Sequence, residues 1–309
     1  MTQRSREPDR VPTLLVEAQV RLEACGIDSA RLDCEVLMAH ALGIDRGALA
    51  ALIGAGSAAA TLDEDSARAY RRLVKRRALR EPVAYITGHR EFWSLDLEVG
   101  PAVLIPRPET EHLVEEALAL LPVPQAEPLT VVDVGTGSGA IAVALAVERP
   151  DLRVIAVDSS ERALEVARRN AARHEVERRV ELVRGDLLSF LASGPGSGRQ
   201  VAMVVSNPPY VSSQELASLM PEVGRWEPVE ALHAGASGLD VIQRLIDQAA
   251  GVLRPGGWLL LEVASERAEA ARRLVESSGA WDSQALRADL AGLPRVMRCR
   301  RRPADPRQT

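Results

Sequence analysis

The chain has 309 residues, of which 46% are hydrophobic and 26% are charged, and a formal net charge of −5. This length allows two domains with a sizeable core, and the acidic balance argues against a protein whose main role is nonspecific nucleic-acid binding. The three cysteines are too scattered for a disulfide framework or a zinc site, and the five histidines show no HExxH spacing, so we expect no metal. Because we find no signal-peptide pattern and no continuous apolar 20-mer, we expect a cytoplasmic protein without a membrane span.

Residues 1–82 are predicted to form a helical domain. Apolar residues recur at helical spacing from Leu14 to Cys25, and a similar pattern follows Ser29. A third long helix is predicted to begin at Thr61, where the sequence TLDE is typical of a capping box. No strand pattern precedes Val83.

The third helix carries a basic stripe, formed by Arg68, Arg71, Arg72, Lys75 and Arg76. Their i, i+3, i+4, i+7, i+8 spacing places all five on one helical face. The stripe is either a solvated surface or an electrostatic docking surface for an acidic protein partner or for RNA. The sequence leaves both interpretations open.

Residues 83–105 alternate as strands do and are interrupted by Gly88 and Gly100, which predicts a β-hairpin linker. From Leu129 onwards, strand patterns alternate with helix patterns. This rhythm predicts an α/β domain, residues 106–309, whose mostly parallel sheet is covered by helices on both faces.

A glycine-rich turn follows the first strand of that domain. The sequence VVDVGTGSGA places Gly135, Gly137 and Gly139 between a strand and a helix, where glycine permits positive φ and a close ligand approach. Asp158 ends the next strand, about 20 residues on, where a carboxylate is placed to accept hydrogen bonds from ribose hydroxyls. Together these features favour a nucleotide-like ligand over a plain tight turn, although Ala140 leaves a dinucleotide dehydrogenase possible.

The sequence DVGTGSG also resembles the first motif of class I S-adenosyl-L-methionine (AdoMet)-dependent methyltransferases. That resemblance implies an AdoMet site, with S-adenosyl-L-homocysteine as product. It assigns ligand contacts to Gly135, Thr136, Gly137, Ser138, Gly139, Asp158, Asp186, Leu187 and Asn207. Asp186 has an alternative interpretation as the N-cap of a helix that begins with LLSFLA.

The strand VAMVV is followed by SNPPYVSS, and two consecutive prolines forbid both a helix and further sheet pairing. A planar amide or amine nitrogen is a poor nucleophile, so a methyl transfer to it needs hydrogen-bond acceptors that hold its N–H bonds. Asn207 offers a side-chain carbonyl, the proline turn can free a backbone carbonyl, and Tyr210 can pack its ring on the planar group. We therefore predict Asn207, Pro208 and Tyr210 as catalytic, against the alternative of a plain turn.

The sequence NPPY resembles the signature of amino-methyltransferases that act on adenine, cytosine or glutamine nitrogens. The segment EFWSLDLEVGPAVLIPRPETEHLVEEAL, with RWEP, GLD and DLAGLPRVM further on, resembles the release-factor glutamine methyltransferase family (HemK-like). The resemblance covers essentially the whole chain. It implies a class I methyltransferase fold, Rossmann-like with a mostly parallel seven-stranded sheet, behind a small all-helical N-terminal domain and a β-hairpin linker.

The same resemblance implies methylation of the glutamine side-chain nitrogen (N5) in the GGQ motif of peptide chain release factors. Asn207, Pro208, Pro209 and Tyr210 would then hold the glutamine amide, and Phe92 would either line the pocket or fill the core. Residues 1–82 would recognise the protein substrate. We expect a monomer that has no direct nucleic-acid substrate.

One departure from the family pattern, one suggested ion pair and two rival functions remain. Ala264 stands where the family usually has glycine, so a positive φ there would be strained and leaves any role of Glu262 open. Arg225 and Glu227 could form a surface ion pair. A nucleic-acid adenine-N6 methyltransferase would share NPPY but is weakened by the acidic balance and the lack of a base-reading module. A non-enzymatic nucleotide-sensing protein would require NPPY to be an idle turn.

Overall fold

The computed structural model describes residues 9–55, 60–123, 127–193, 200–289 and 291–303. The chain divides into two compact units. Unit 1 comprises Met1–Gly88 with Pro221–Trp226, and unit 2 comprises His89–Met220 with Glu227–Thr309. Unit 1 is therefore built from two separate stretches of the chain.

The helices in chain order are α1 (Val11–Ala24), α2 (Ala30–Leu42), α3 (Arg46–Gly54), α4 (Glu64–Ala78), α5 (Val83–Thr87), α6 (Glu111–Leu120), α7 (Ala140–Glu148), α8 (Glu161–Arg173), α9 (Ser189–Ser193), α10 (Pro221–Gly224), α11 (Asp240–Val252) and α12 (Ala268–Ser278). The strands are β1 (His89–Phe92), β2 (Leu95–Glu98), β3 (Leu129–Val134), β4 (Leu152–Asp158), β5 (Val180–Arg184), β6 (Val201–Ser206), β7 (Leu253–Glu262), β8 (Trp281–Ala288) and β9 (Pro294–Arg301).

Unit 1 is a helical bundle whose apolar faces meet in one core around Leu22, Leu37 and Tyr70. The third long helix predicted from the sequence is α4, and it begins at Glu64 rather than at Thr61. Asp63 caps it, because its side chain accepts a 2.7 Å hydrogen bond from the Ser66 amide. Helix α3, which the sequence did not predict, starts in the same way after Asp45.

Three members of the basic stripe are paired with carboxylates of unit 1. Arg68 binds Glu64, Arg71 binds Asp9, and Arg76 binds Glu81. Arg72 and Lys75 are exposed. Most of the stripe's charge is thus compensated locally.

Unit 2 contains a seven-stranded sheet of order β5-β4-β3-β6-β7-β9-β8. The first five strands in this order are parallel, and β9 pairs antiparallel with both β7 and β8. Every residue of the central strand β6 is buried, as expected for a parallel strand covered on both faces. The predicted mostly parallel seven-stranded α/β sheet is confirmed.

A two-stranded hairpin precedes this sheet in the chain, with β1 antiparallel to β2 and Phe92 paired with Leu95. Its two turn residues, Trp93 and Ser94, both have positive φ (54° and 57°). A two-residue type I′ hairpin turn requires positive φ at both positions, although residues with side chains disfavour it. The Trp93 amide donates to Glu111 at 2.9 Å and its indole donates to Glu148 at 2.8 Å. These two hydrogen bonds hold the strained turn.

The order of the strands creates a topological switch point between β3 and β6, from which the chain proceeds to opposite edges of the sheet. Ligands of open α/β sheets bind beyond the carboxyl ends of the strands at such a point. Among the described residues, no single helix has both the length and the apolar composition to cross a membrane, although Ala30–Leu42 and Arg46–Gly54 meet those criteria as a bent pair.

A buried ion-pair network provides a test of unit 1. The Arg77 guanidinium, 5% exposed, donates to Asp33 at 2.7 Å and to Glu222 at 2.9 Å. We expect Arg77→Met to lower the free energy of unfolding by about 3–5 kcal/mol, because it leaves the buried Asp33 carboxylate without its cation. The shift is measured by urea denaturation followed by circular dichroism.

Arg68→Met is the matched control, since the pair of Arg68 with Glu64 is solvent-exposed. We expect this variant to lose under about 1 kcal/mol. Equal losses in the two variants would contradict the importance assigned to the buried network.

Candidate active site

Unit 2 holds a cavity of about 630 Å³ at the carboxyl edge of its sheet. Its walls come from the ends of β3 and β4, from the segments after β5 and β6, and from the segment after the hairpin. Seven residues that the sequence analysis singled out line it together: Gly135, Gly137, Asp158, Asp186, Leu187, Asn207 and Pro209.

The backbone of the glycine turn, residues 135–139, borders this cavity. Gly135, Gly137 and Gly139 have φ of 72°, 55° and 82°, the region that favours glycine. A Cβ on Gly135 would meet no atom within 4 Å, so the space above this backbone is open. The amides of Gly135 and Thr136 both donate to the carbonyl of Val157 at 2.9 Å, which fixes the turn against the end of β4.

Gly139 is required for packing rather than for ligand access. A Cβ there would lie 3.1 Å from the Cβ and 3.2 Å from the Cα of Ala167, on helix α8. The turn therefore lies so close to α8 that a side chain at position 139 would require Ala167 to shift by a few tenths of an ångström.

Thr136 and Ser138 support the turn from below, and both are buried. The Thr136 hydroxyl donates to Asp133 at 2.6 Å, and the amide of Ala142 donates to the same carboxyl oxygen at 3.2 Å. Burial raises the pKa of Asp133 to about 7. Its place inside the apolar strand VVDV was the signal in the sequence for this role.

Asn170 adds a support that sequence reasoning missed. Its side-chain amide donates to the carbonyl of Ser138 at 2.8 Å and to that of Glu98 at 2.9 Å. Its side-chain carbonyl accepts from the Glu98 amide at 2.7 Å. One buried side chain thus ties the glycine turn to strand β2, and nothing local to the sequence RRNAA indicates it.

Asp158 is the carboxylate of the cavity wall. One oxygen accepts from the Gly137 amide and the other from the Ser160 amide, each at 2.9 Å. Since a carboxylate has about four acceptor positions, each oxygen keeps capacity for a further donor. Burial raises the pKa of this group, and these backbone hydrogen bonds act against that effect.

Asp186 and Leu187 form the neighbouring wall. The Asp186 carboxylate pairs with Arg244 of helix α11. The backbone amide of Ser189 donates to the backbone carbonyl of Asp186 at 3.2 Å, a bond that a helix start also makes, so the N-cap interpretation stays a prediction. Leu187 has φ of 53°, a conformation that costs a non-glycine residue about 1–2 kcal/mol.

The NPPY segment begins at the end of β6. The Ser206 hydroxyl donates to the carbonyl of Val134 at 2.7 Å, and the Asn207 side-chain amide donates to the Thr110 hydroxyl at 3.1 Å. Pro208 is buried and Pro209 lines the cavity. A Cβ on Gly238, whose φ is 75°, would lie 2.5 Å from the carbonyl oxygen of Tyr210, which explains the glycine of the GLD sequence.

Tyr210 and Phe92 lie outside the cavity wall. Burial raises the pKa of the Tyr210 phenol, and the nearby Glu262 carboxylate raises it further. Phe92 is 1% exposed and belongs to the hydrophobic core with Leu97 and Leu113. Of its two interpretations, this placement supports core filling and gives substrate contact no support.

The geometry corrects one further sequence-based suggestion and answers another. Glu227 is buried and accepts hydrogen bonds from Arg107 at 2.6 and 2.8 Å, so its ion-pair partner is Arg107 rather than Arg225. Ala264 has φ of −65°, an ordinary extended conformation, and therefore carries no strain.

Other wall residues were not predicted to contact a ligand. The segment Pro101–Leu104 lines the cavity, although the sequence analysis assigned it only to the hairpin linker. Within the stretches that the structure describes, no group of three or more His, Cys, Asp or Glu side chains is arranged to hold a metal ion.

The tight packing of Gly139 generates a stability prediction. We expect Gly139→Ala to lower the free energy of unfolding by about 2–4 kcal/mol, from the unfavourable φ and from overpacking against Ala167. Gly279→Ala is the control, because Gly279 has φ of 65° but no atom within 4 Å of an added Cβ. Its expected loss is about 1 kcal/mol in the same urea denaturation, and a loss as large as that of Gly139→Ala would contradict the packing argument.

Comparisons with known proteins identify the family and the fold of the chain. The family model of the PrmC N-terminal domain matches residues 13–88, and that of the methyltransferase small domain matches residues 115–222. The catalytic domain of hMettl16, solved with an RNA hairpin, has a TM-score of 0.56 at 15% identity, covering 74% of this chain and 82% of that one. That likeness shows the fold alone.

Curated relatives match over nearly the whole chain. The release factor glutamine methyltransferase of Nitratidesulfovibrio vulgaris is 42% identical over 290 residues, which cover 93% of this chain and 94% of that protein. The release factor glutamine methyltransferase of Escherichia coli is also 42% identical, over 273 residues that cover 88% of this chain and 92% of that protein. The chain belongs to the release factor glutamine methyltransferase family.

Proposed function

We propose that this protein transfers a methyl group from AdoMet to the side-chain amide nitrogen (N5) of the glutamine in the GGQ motif of peptide chain release factors. One observation carries the proposal within this family. Asn207 lines the same cavity as Asp158 and the glycine turn, so the amide-gripping side chain borders the space that suits the methyl donor.

The residues of the cavity fit AdoMet. The open space above Gly135 allows a ligand to approach the backbone, and Asp158 retains acceptor capacity for the two ribose hydroxyls. Leu187 offers an apolar surface to an adenine ring beside it. When bound, AdoMet supplies an electrophilic methyl group that leaves its sulfur with the C–S bond cleaved, so that S-adenosyl-L-homocysteine remains.

The chain's own residues hold the nucleophile. We assign the side-chain carbonyl of Asn207 as acceptor for one N–H of the substrate amide, with a carbonyl of the proline segment as acceptor for the other. Pro208 and Pro209 keep this segment rigid, because their rings fix φ. As the nitrogen forms its bond to the methyl carbon, these acceptors stabilise the positive charge on it, and the nitrogen then releases one proton to water.

The substrate class follows from the family rather than from the cavity. NPPY alone is compatible with an adenine amino group, but the relatives that match over about nine-tenths of this chain are release factor glutamine methyltransferases. We assign recognition of the protein substrate to the N-terminal helical residues. That role, the domain limits and the monomeric state stay predictions.

A transfer assay tests the proposed function. Purified chain is incubated with AdoMet carrying a labelled methyl group and with release factor, a release factor whose GGQ glutamine is replaced by alanine, DNA or tRNA. We expect label on the unaltered release factor only. Label on nucleic acid alone would establish the adenine-N6 alternative, and AdoMet binding without any transfer would favour a sensing protein.

The amide-gripping role predicts the behaviour of Asn207→Ala. We expect loss of transfer with AdoMet affinity within about tenfold of wild type, because positioning of the nucleophile is removed while the donor site is retained. Gln214→Ala, which truncates an exposed amide seven residues later, should keep wild-type transfer. Transfer is measured by the labelled-methyl assay and affinity by calorimetry, and wild-type turnover in Asn207→Ala would refute the role.

A further inference from the structure

The part of the cavity wall formed by residues 186–187 is anchored on both sides by backbone amides. The Gly185 amide donates to the carbonyl of Asp158 at 3.0 Å, which fixes the start of this segment to the end of β4. On the other side, the Leu188 amide donates to the side-chain carbonyl of Gln248 at 2.8 Å. The second anchor thus comes from helix α11, 60 positions further along the chain.

Helix α11 contacts this segment at two successive turns. Its residues Val241 and Arg244 line the cavity, and Gln248 follows them on the same helical face, one turn after Arg244. Arg244 pairs with the Asp186 carboxylate at 2.5 Å. Gln248 is not among the described residues that line the cavity. It therefore supports the wall from behind.

The donor determines which end of the Gln248 amide faces the segment. A backbone N–H can only donate, so the Gln248 atom that lies 2.8 Å from the Leu188 nitrogen must be the carbonyl oxygen, Oε1. Leu188 is fully buried within the apolar cluster of unit 2. Removing Oε1 would leave the Leu188 amide without this hydrogen bond inside the fold, which is unfavourable.

The segment needs an anchor because Leu187 is strained. Its φ of 53° lies in the left-handed region, which residues with a Cβ disfavour. Such a conformation persists only where the surrounding structure holds it. Relaxation of Leu187 to negative φ would rotate its side chain and the next amide out of their present positions. The hydrogen bond from the Leu188 amide to Gln248 opposes that rotation, because it holds the very next peptide unit.

We propose that Gln248 is a positioning residue of the AdoMet site, whose side-chain carbonyl holds the Leu188 amide and thereby keeps Leu187 in the left-handed conformation that shapes the adenine side of the cavity. The inference deepens the proposed function and rests on it, since Leu187 is there assigned to the adenine ring. Gln248 acts on donor binding and not on the transfer step, because the nucleophile is held by the separate segment after β6.

The strain at Leu187 sets the size of the effect. Without the anchor, AdoMet binds only the fraction of molecules in which Leu187 keeps its left-handed conformation. The apparent Kd then rises by the inverse of that fraction. For the relaxation of one left-handed residue, this rise is roughly tenfold.

The test measures AdoMet affinity by calorimetry and the single-turnover rate at saturating AdoMet. We expect Gln248→Met, which is similar in length but has no oxygen, to raise the AdoMet Kd by roughly tenfold, with the rate at saturation within about twofold of wild type. Gln248→Glu keeps an oxygen acceptor at the same position and should bind AdoMet within about threefold of wild type.

Gln243→Met is the matched control on the same helix. The Gln243 side chain donates to Asp247, also on α11, at 3.0 Å, so its loss should leave the AdoMet Kd unchanged. Should Gln248→Met not fold, as judged by circular dichroism, Gln248→Asn replaces it, because its amide is one methylene too short to reach Leu188. The same roughly tenfold rise in Kd is expected of it.

A double-mutant cycle isolates the strain. Glycine adopts positive φ readily, so a chain with Leu187→Gly depends less on the anchor. Added to Leu187→Gly, Gln248→Met should raise the Kd by under about threefold, against roughly tenfold in the wild-type background. A tenfold rise in both backgrounds would contradict the proposed mechanism.

Hydrogen exchange of the Leu188 amide provides a readout without ligand or turnover. In ligand-free ¹⁵N-labelled protein, we expect this amide to exchange about tenfold faster in Gln248→Met than in wild type or Gln243→Met. An unchanged exchange rate or AdoMet Kd in Gln248→Met, a Gln248→Glu defect as large as that of Gln248→Met, or a tenfold loss of rate at saturating AdoMet would each overturn the inference. Wild-type protein that binds AdoMet without methylating release factor would refute only the proposed function.

Discussion

Strands β3, β4 and β6 lie side by side in parallel register, with Val134 paired to both Val157 and Ser206. Because of this pairing the three strands end at one edge of the sheet, and the polar residues that follow them are delivered to one place. The glycine turn, Asp158 and Asn207 share a cavity for this reason. The backbone ladder sets the place of each of the three, and hydrogen bonds such as that from the Gly137 amide to Asp158 then fix the side chains.

Buried polar groups secure this edge. Asp133, Asn170 and Glu262 are all under 5% exposed and sit directly behind the residues that line the cavity or continue from it. A polar group is costly to bury without a hydrogen bond. Asn170 uses both its side-chain amide and its side-chain carbonyl, which fixes the glycine turn against β2. Asp133 accepts two hydrogen bonds through one carboxyl oxygen, and among the described residues neither its other oxygen nor Glu262 Oε2 has a partner.

Local patterns were sufficient for the parts of the site that local backbone geometry determines. A turn that needs positive φ requires glycine, a carboxylate that ends a strand is visible as such, and consecutive prolines end a strand wherever they occur. The rhythm of strands and helices likewise predicted the parallel sheet. What could not be read were the contacts between distant segments. Thr110 and Asn170 look like ordinary residues at a helix start and in a helix, and only the folded chain shows what they bond.

The interpretation of Phe92 illustrates the same limit. From the sequence alone, an aromatic residue in a segment that resembles the family could line a pocket or fill the core. Its packing with Leu97 and Leu113, which only the folded structure shows, decides between these two roles. The start of α4 was misplaced by three residues because two capping candidates, Thr61 and Asp63, lie close together. The pair β8 and β9 has no clean alternation, since β8 mixes buried, half-buried and exposed positions at the edge of the sheet.

The split composition of unit 1 limits how this protein can be dissected. Arg77 and Arg80 bind Glu222, which is more than 140 residues further along the chain. A fragment that stops at Gly88 would part these two arginines from that carboxylate. A fragment that starts at His89 would keep residues 221–226 but would lack the N-terminal helices with which they form unit 1. No single cleavage therefore yields both pieces intact, and a helical module for isolated study would have to be engineered with this short stretch grafted back.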